Sequence, residues 1–177
     1  MIIYKDIIND DELMSDTYNM KETEDGMLYE VDCTIGPKKN EQIELAGANP
    51  SAEGGDDEGV DDGSTGEMVY NIQEGFQLNW LKDTKPSKDF FKAHLKAYVK
   101  KVNNKLKEKG TSEEEIKKFQ AGAAAVVKKL LKNYDNYDVL MGSSMDADGM
   151  HVLIDFREDG VTPYATLWKH GLVGMKV

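Results

Sequence analysis

Chemistry at a protein site needs a nucleophile beside a base, a cluster of metal ligands, or an ordered array of charge. The 177-residue sequence has little to offer the first. It holds three histidines, His94, His151 and His170, and one cysteine, Cys33. His94 falls among Phe91, Leu95 and Tyr98, which reads as helix packing rather than a base. His151 sits on a strand face beside Leu153, and His170 lies in a turn near the end of the sequence. No Ser-His-Asp or Cys-His pairing is indicated by motif, and neither GxxxxGK[ST] nor GxGxxG occurs. A single cysteine makes no internal disulfide and no cysteine-based zinc site. Cys33 alternates with Met27, Tyr29 and Val31 and reads as a small buried hydrophobe. The expectation is a protein that is not an enzyme and has no cofactor.

Metal ligation has two candidates. Asp146-Ala147-Asp148-Gly149 opens like a calcium loop, but an EF-hand needs oxygen at position 5, Gly at 6 and Glu at 12. Those positions hold Met150, His151 and Arg157, so the segment reads as a hairpin turn. The stretch from Gly47 to Gly66 carries Glu53, Asp56, Asp57, Glu58, Asp61 and Asp62 with no basic residue. Mutual repulsion among these six favours a divalent cation such as calcium, with Glu67 just beyond them. A segment this poor in packing residues must be ordered to make a cage, so the expected dissociation constant is about 10⁻⁴ M or weaker. The bland alternative is a flexible, solvating acidic loop.

The third candidate is an array of lysines. Up to Leu81 there are 4 lysines against 20 acids; from Lys82 to Lys132 there are 15 lysines against 6; the remainder has 3 basic residues against 7 acids. Lys85, Lys88, Lys92, Lys96 and Lys100 recur every three or four residues, the spacing of one helix face. Lys128, Lys129 and Lys132 cluster further on. Such a face is either a solvated surface or a dock for an acidic polymer. Tubulin's acidic tails fit it. Nucleic acid fits poorly, because the segment lacks arginine and the rest of the chain repels phosphate.

These residues need elements to carry them. Met1 to Ile8 and Met27 to Cys33 read as strands, with Leu28, Glu30 and Asp32 facing away from the core. Met68, Tyr70 and Ile72 alternate, as do Phe76, Leu78 and Trp80, which predicts two strands with a bend at Gly75. Phe91, Leu95, Tyr98, Val102 and Leu106 make one helix face, capped by Ser87 and stopped by Gly110. Ile116, Phe119, Ala123, Val126 or Val127, Leu130 and Tyr134 make a second, opened by a Ser112–Glu115 capping box. The hairpin spans about residues 87–134. Ala121 to Ala125, with Gly122, would let its two helices approach closely. Met150, Val152, Ile154 and Phe156 form a half-buried strand between Asp148-Gly149 and Asp159-Gly160 turns, and Thr162 to Trp168 pairs with it. The class is α+β, and one domain over residues 1–177 accounts for the length. No segment approaches the ~20 apolar residues of a membrane span and no basic-then-apolar leader opens the sequence, so a cytoplasmic protein is expected.

Two stretches carry a resemblance. Met141 to Pro163, MGSSMDADGMHVLIDFREDGVTP, and Ala46 to Asp56, AGANPSAEGGD, closely resemble the two short signatures of the translationally controlled tumour protein family. MIIYKDIINDDE and NYDVLMG are similar to family sequence as well, so the likeness covers essentially the whole chain. It implies strongly bent, mixed β-sheets, a projecting two-helix hairpin and a long flexible acidic loop at about 47–66. It also implies calcium binding, microtubule association through the hairpin, growth and survival signalling with Bcl-2-type partners, and non-classical secretion beside the cytoplasmic location. Glu12 stands where the family contacts a Rheb-like small GTPase, with guanine-nucleotide exchange or chaperoning as the alternative function. A second family acid after the strand glycine is here Ser143, which removes one charge from that surface. The family fold is similar to that of methionine sulfoxide reductases and a zinc-bearing Rab-associated chaperone, but one cysteine supplies neither chemistry. The cysteine with which the family often cross-links dimers is absent from Lys176-Val177.

Overall fold

In the computed structural model, residues 1–38 and 67–177 are described. The calcium candidates Glu53, Asp56, Asp57, Glu58, Asp61 and Asp62 lie outside them. The strands are β1 (Ile2–Asp6), β2 (Glu12–Ser15), β3 (Met20–Glu22), β4 (Leu28–Asp32), β5 (Ile35–Pro37), β6 (Met68–Tyr70), β7 (Asn79–Trp80), β8 (Asp138–Met141), β9 (His151–Phe156), β10 (Pro163–Trp168) and β11 (Leu172–Lys176). The helices are α1 (Asn71–Phe76), α2 (Lys88–Glu108) and α3 (Glu113–Lys132). Six strands run in the order β3-β4-β10-β9-β8-β7, three in the order β11-β1-β2, and β5 pairs with β6. The expected α+β class with several sheets and a helical hairpin is what the chain forms. Pairing between the described strands is antiparallel throughout rather than mixed. The short connection from Arg157 to Thr162 permits only antiparallel pairing of β9 with β10.

The hairpin helices begin where the sequence says. Ser87 Oγ accepts from Phe90 N and Ser112 Oγ from Glu115 N, each at 3.2 Å. Gly110 takes φ +80°, a conformation that costs other residues strain, and ends the first helix. Both predicted faces are buried: Phe91, Leu95, Tyr98, Val102 and Leu106 on α2; Ile116, Phe119, Ala123, Val126 and Leu130 on α3. Together with Leu28, Val31, Val152, Ile154 and Leu167 of the six-stranded sheet they form one core.

Tertiary packing redraws four local expectations. The apolar run after Met68 keeps its two strands only at its ends, as β6 and β7, with α1 between them in place of a bend at Gly75: Ile72 and Phe76, four apart, also fit a helix, and short runs do not decide between the periods. Gln73 Oε1 accepts from Tyr70 N at 3.2 Å to start α1, and Gln77 in the left-handed region ends it. Leu28 is fully buried instead of facing away with Glu30 and Asp32. His151, Val152, Leu153 and Ile154 are buried in succession, because β9 is an inner strand covered on both faces. The space at Gly122 is taken by Met27, just before β4, since a side chain there would meet Met27 Sδ.

Candidate interaction surface

The lysine face is built by one-sided burial. With Phe91, Leu95, Tyr98 and Val102 facing the core, Lys88, Lys92, Lys96 and Lys100 are all exposed on the other side of α2. Among the described residues none of these four has a carboxylate within ion-pair distance. Lys85 does not belong with them. Its Nζ donates to the carbonyls of Tyr134 and Tyr137 at 3.0 and 2.6 Å and lies 4.5 Å from the Tyr134 ring centre. It fastens the start of the hairpin to its end. Lys129 lines a depression of about 470 Å³ with Lys21, Glu22, Thr23, Glu24, Asp25 and Glu30, so its surroundings are acidic.

A second surface joins residues far apart in the chain. Glu12, exposed at the start of β2, lines a depression of about 360 Å³ with Asp10, Asp11, Gly75, Phe76, Gln77 and Ser143. Position 143 is therefore beside Glu12 although 131 residues separate them. Ser144 Oγ donates to Asp11 Oδ2 at 2.6 Å, and Asn79 Nδ2 donates to the Gly142 carbonyl at 3.1 Å, fixing this rim. The turn reading of Asp146 to Gly149 is what the chain adopts. Asp146 Oδ1 accepts from Asp148 N and Oδ2 from Asn9 Nδ2, and these bonds hold the Asp146 carboxyl below its ordinary range. Asp148 reaches Lys101 Nζ at 2.5 Å. Among the described residues no group of three or more His, Cys, Asp or Glu is placed to hold a metal ion.

A buried polar cluster went unread in the sequence. Asp6, 1% exposed at the end of β1, accepts from Met150 N at 2.7 Å, Ile8 N at 3.0 Å and Tyr98 Oη at 3.2 Å. Burial raises its carboxyl pKa despite those donors. Beside it His94 stacks on His151, ring centres 3.8 Å apart and planes 6° from parallel. His94 Nε2 donates to the Gly149 carbonyl at 2.8 Å. No signal short of the fold could have found this cluster, because Asp6 meets Tyr98 and Met150 across 92 and 144 residues. It places a carboxylate, a hydroxyl and an imidazole near one another, yet neither histidine ring bonds the other two groups. Every donor on Asp6 is structural.

His170 Nε2 donates to Glu115 Oε1 at 3.1 Å, so the expected capping box is completed only on the Ser112 side. Burial outweighs that carboxylate and keeps His170 below its ordinary range. Cys33 is 4% exposed, donates to the Val31 carbonyl, and burial pushes its thiol up to about 12, which leaves it without nucleophilic thiolate. Arg157 bonds Glu30 and Asp32 and lies over the Tyr164 ring, tying the end of β9 to β4. No helix among the described residues is long and apolar enough to cross a membrane.

The family model described as translationally controlled tumour protein matches residues 1–173. A translationally-controlled tumor protein homolog of Emericella nidulans is 65% identical over 182 residues, with both chains covered in full. The Saccharomyces cerevisiae homolog is 44% identical over 177 residues, again with full coverage of both. Among solved structures, the translationally controlled tumor-associated protein p23fyp of Schizosaccharomyces pombe superposes with a TM-score of 0.73 at 34% identity, both chains covered in full. The NMR structure of the Caenorhabditis elegans protein gives 0.65 at 27% identity, covering 100% of this chain and 99% of that one.

Proposed function

The chain belongs to the translationally controlled tumour protein family, and on that premise we propose that it is a non-enzymatic, cytoplasmic binding protein that docks acidic polymers, tubulin foremost, on the lysine face of α2. The observation that carries this reading is the row Lys88, Lys92, Lys96 and Lys100: exposed, uncompensated by neighbouring carboxylates among the described residues, and mounted on a helix anchored by its opposite face. A rigid row of ammonium groups attracts a flexible anionic tail without requiring a shaped pocket. Weak calcium binding by Glu53, Asp56, Asp57, Glu58, Asp61 and Asp62 belongs to the same proposal, resting on the acidic sequence from Gly47 to Gly66, which holds no basic residue. Survival signalling with Bcl-2-type partners has only the family likeness behind it.

Co-sedimentation with microtubules tests the lysine face. Replacing Lys88, Lys92, Lys96 and Lys100 by Glu is expected to abolish pelleting while leaving the circular dichroism spectrum unchanged. Pelleting of the parent protein should fall steeply between about 0.01 M and about 0.15 M salt, as the screening length shortens from about 30 Å to about 8 Å. Binding that ignores both salt and charge reversal would remove the lysine face from the mechanism.

One observation favours a second reading, a regulator or chaperone of a small GTPase. Glu12 and Ser143 share one depression, so the two positions that the family likeness assigns to a GTPase contact are contiguous here. In this reading Glu12→Ala slows nucleotide release from a purified small GTPase, and Ser143→Glu, by restoring charge beside it, speeds release. Equal rates for the parent and both variants would exclude this surface.

A further inference from the structure

We infer that His94 and His151 form a proton-operated latch between the helical hairpin and the six-stranded sheet: neutral, the two rings stack and hold α2 on β9; protonated, they release it. The geometry carries the argument. The rings are nearly parallel at 3.8 Å, and Phe91 continues the stack 5.9 Å from His151, itself lying 4.3 Å from Tyr134. His94 donates through Nε2 to the Gly149 carbonyl, which makes Nδ1 the bare nitrogen of the neutral tautomer. That Nδ1 and the Nδ1 of His151 are both buried without a hydrogen-bond partner. A proton on either therefore creates a buried donor with nothing to accept it, and a charge against the face of the other ring. One ion cannot use both lone pairs, because rings stacked face to face direct them along parallel planes rather than to a common point about 2.0–2.1 Å away.

The charged groups around the pair act in opposite senses. On α2, Lys101 opposes protonation of His94. From the β8–β9 connection Asp148 favours it, but Asp148 is engaged by Lys101. On β1, Asp6 is occupied by Met150 N, Ile8 N and Tyr98 Oη. Tyr98 and Tyr134 contribute uncharged rings. Desolvation, then the neighbouring His94, holds His151 down to about 3, and desolvation likewise keeps His94 below its ordinary range. Groups depressed in this way are neutral when folded but take up protons once released, near the ordinary value of about 6.5. The stabilisation is complete above that value and drains away as pH falls below it. Asp6 runs the other way: its raised carboxyl binds a proton more readily folded than unfolded, so acid favours the fold at that site, in full below the ordinary Asp value of about 3.9. His170 has the same sign as the latch but sits against α3, so a measurement of global stability would mix the two.

The test reads α2 locally. Amide hydrogen exchange of α2, corrected for intrinsic rates, is compared at about pH 7.5 and about pH 5.5 in the intact protein and in His151→Phe, which keeps an aromatic ring in the stack without a titrating nitrogen. For the intact protein, protection is expected to fall about tenfold through His151 alone, with a further factor from His94. In His151→Phe the His151 factor should vanish while the contribution of His170 to α3 persists. A merely structural role for His151 would shift protection equally at both pH values. Equal acid responses of the two proteins would overturn the latch. So would a His151 ring-carbon NMR resonance titrating near about 6.5 in the folded protein, a measurement that decides the matter even if the variant fails to fold.

Discussion

Replacing Asp6 by alanine is expected to destabilise the protein by about 3–5 kcal/mol, because three donors lose their acceptor together and buried donors left unmade cost about 1–3 kcal/mol each. The carboxylate joins three parts of the fold: Ile8 N lies just beyond its own strand, Met150 N precedes β9, and Tyr98 Oη comes from α2. Tyr98→Phe removes only one of these bonds and should cost about 1 kcal/mol. The double variant should be less destabilised than the two singles added together, since the Tyr98 bond is already lost when Asp6 is gone. Urea unfolding of the four proteins measures the coupling. A loss below about 1 kcal/mol for Asp6→Ala would mean that water replaces the carboxylate, and the site would not be the closed junction described. Gly171 shows how closed it is: its carbonyl accepts from Ile7 N, and a side chain there would collide with the Tyr98 hydroxyl.

Phe119→Ala should be comparably severe, about 3–5 kcal/mol, through loss of buried area and the cavity left behind. Phe119 is fully buried on α3, edge-on to Trp168 at 6.0 Å and 68°, and 5.2 Å from the His170 ring. It is the point where the second hairpin helix grips β10 and the turn after it. The chain has two tryptophans, so a Trp80→Phe background leaves Trp168 as the sole indole reporter. In that background Phe119→Ala is expected to change the emission and to lower the melting temperature by about 2–4 °C for each kcal/mol lost. A loss under about 2 kcal/mol would show that Trp168 and Met27 refill the space, and that α3 is held mainly by its other buried residues.

How much of this was legible beforehand depends on the distance over which each feature is decided. The hairpin was readable almost residue by residue. Caps at Ser87 and Ser112 act over three residues, and the faces of α2 and α3 repeat every three or four, so both are local properties. The exposure of Lys88, Lys92, Lys96 and Lys100 follows from the same periodicity, since burying one side of a helix leaves the other to solvent. The strands were less legible. β2 (Glu12–Ser15) buries Leu13, Met14 and Ser15 in succession and β3 has only three residues, so neither offers an alternation to detect. The segment after Met68 satisfied both periods, and the bonds of Gln73 and Asn71 decided it. Lys85 looked like one more member of a solvent-facing row until the carbonyls of Tyr134 and Tyr137 arrived beside it.

Read alone, the chain determined its class, its hairpin, its segregated charge and the turns at Asp148-Gly149 and Asp159-Gly160, because these rest on backbone preferences and side-chain periods that operate within a few residues. Only the tertiary structure decided that Glu12 meets Ser143, that Asp6 holds Tyr98 and Met150, and that His94 lies on His151. Those meetings depend on which strands lie side by side and how the hairpin settles on them. No short-range rule can express that, since the partners become neighbours only once the whole core has closed.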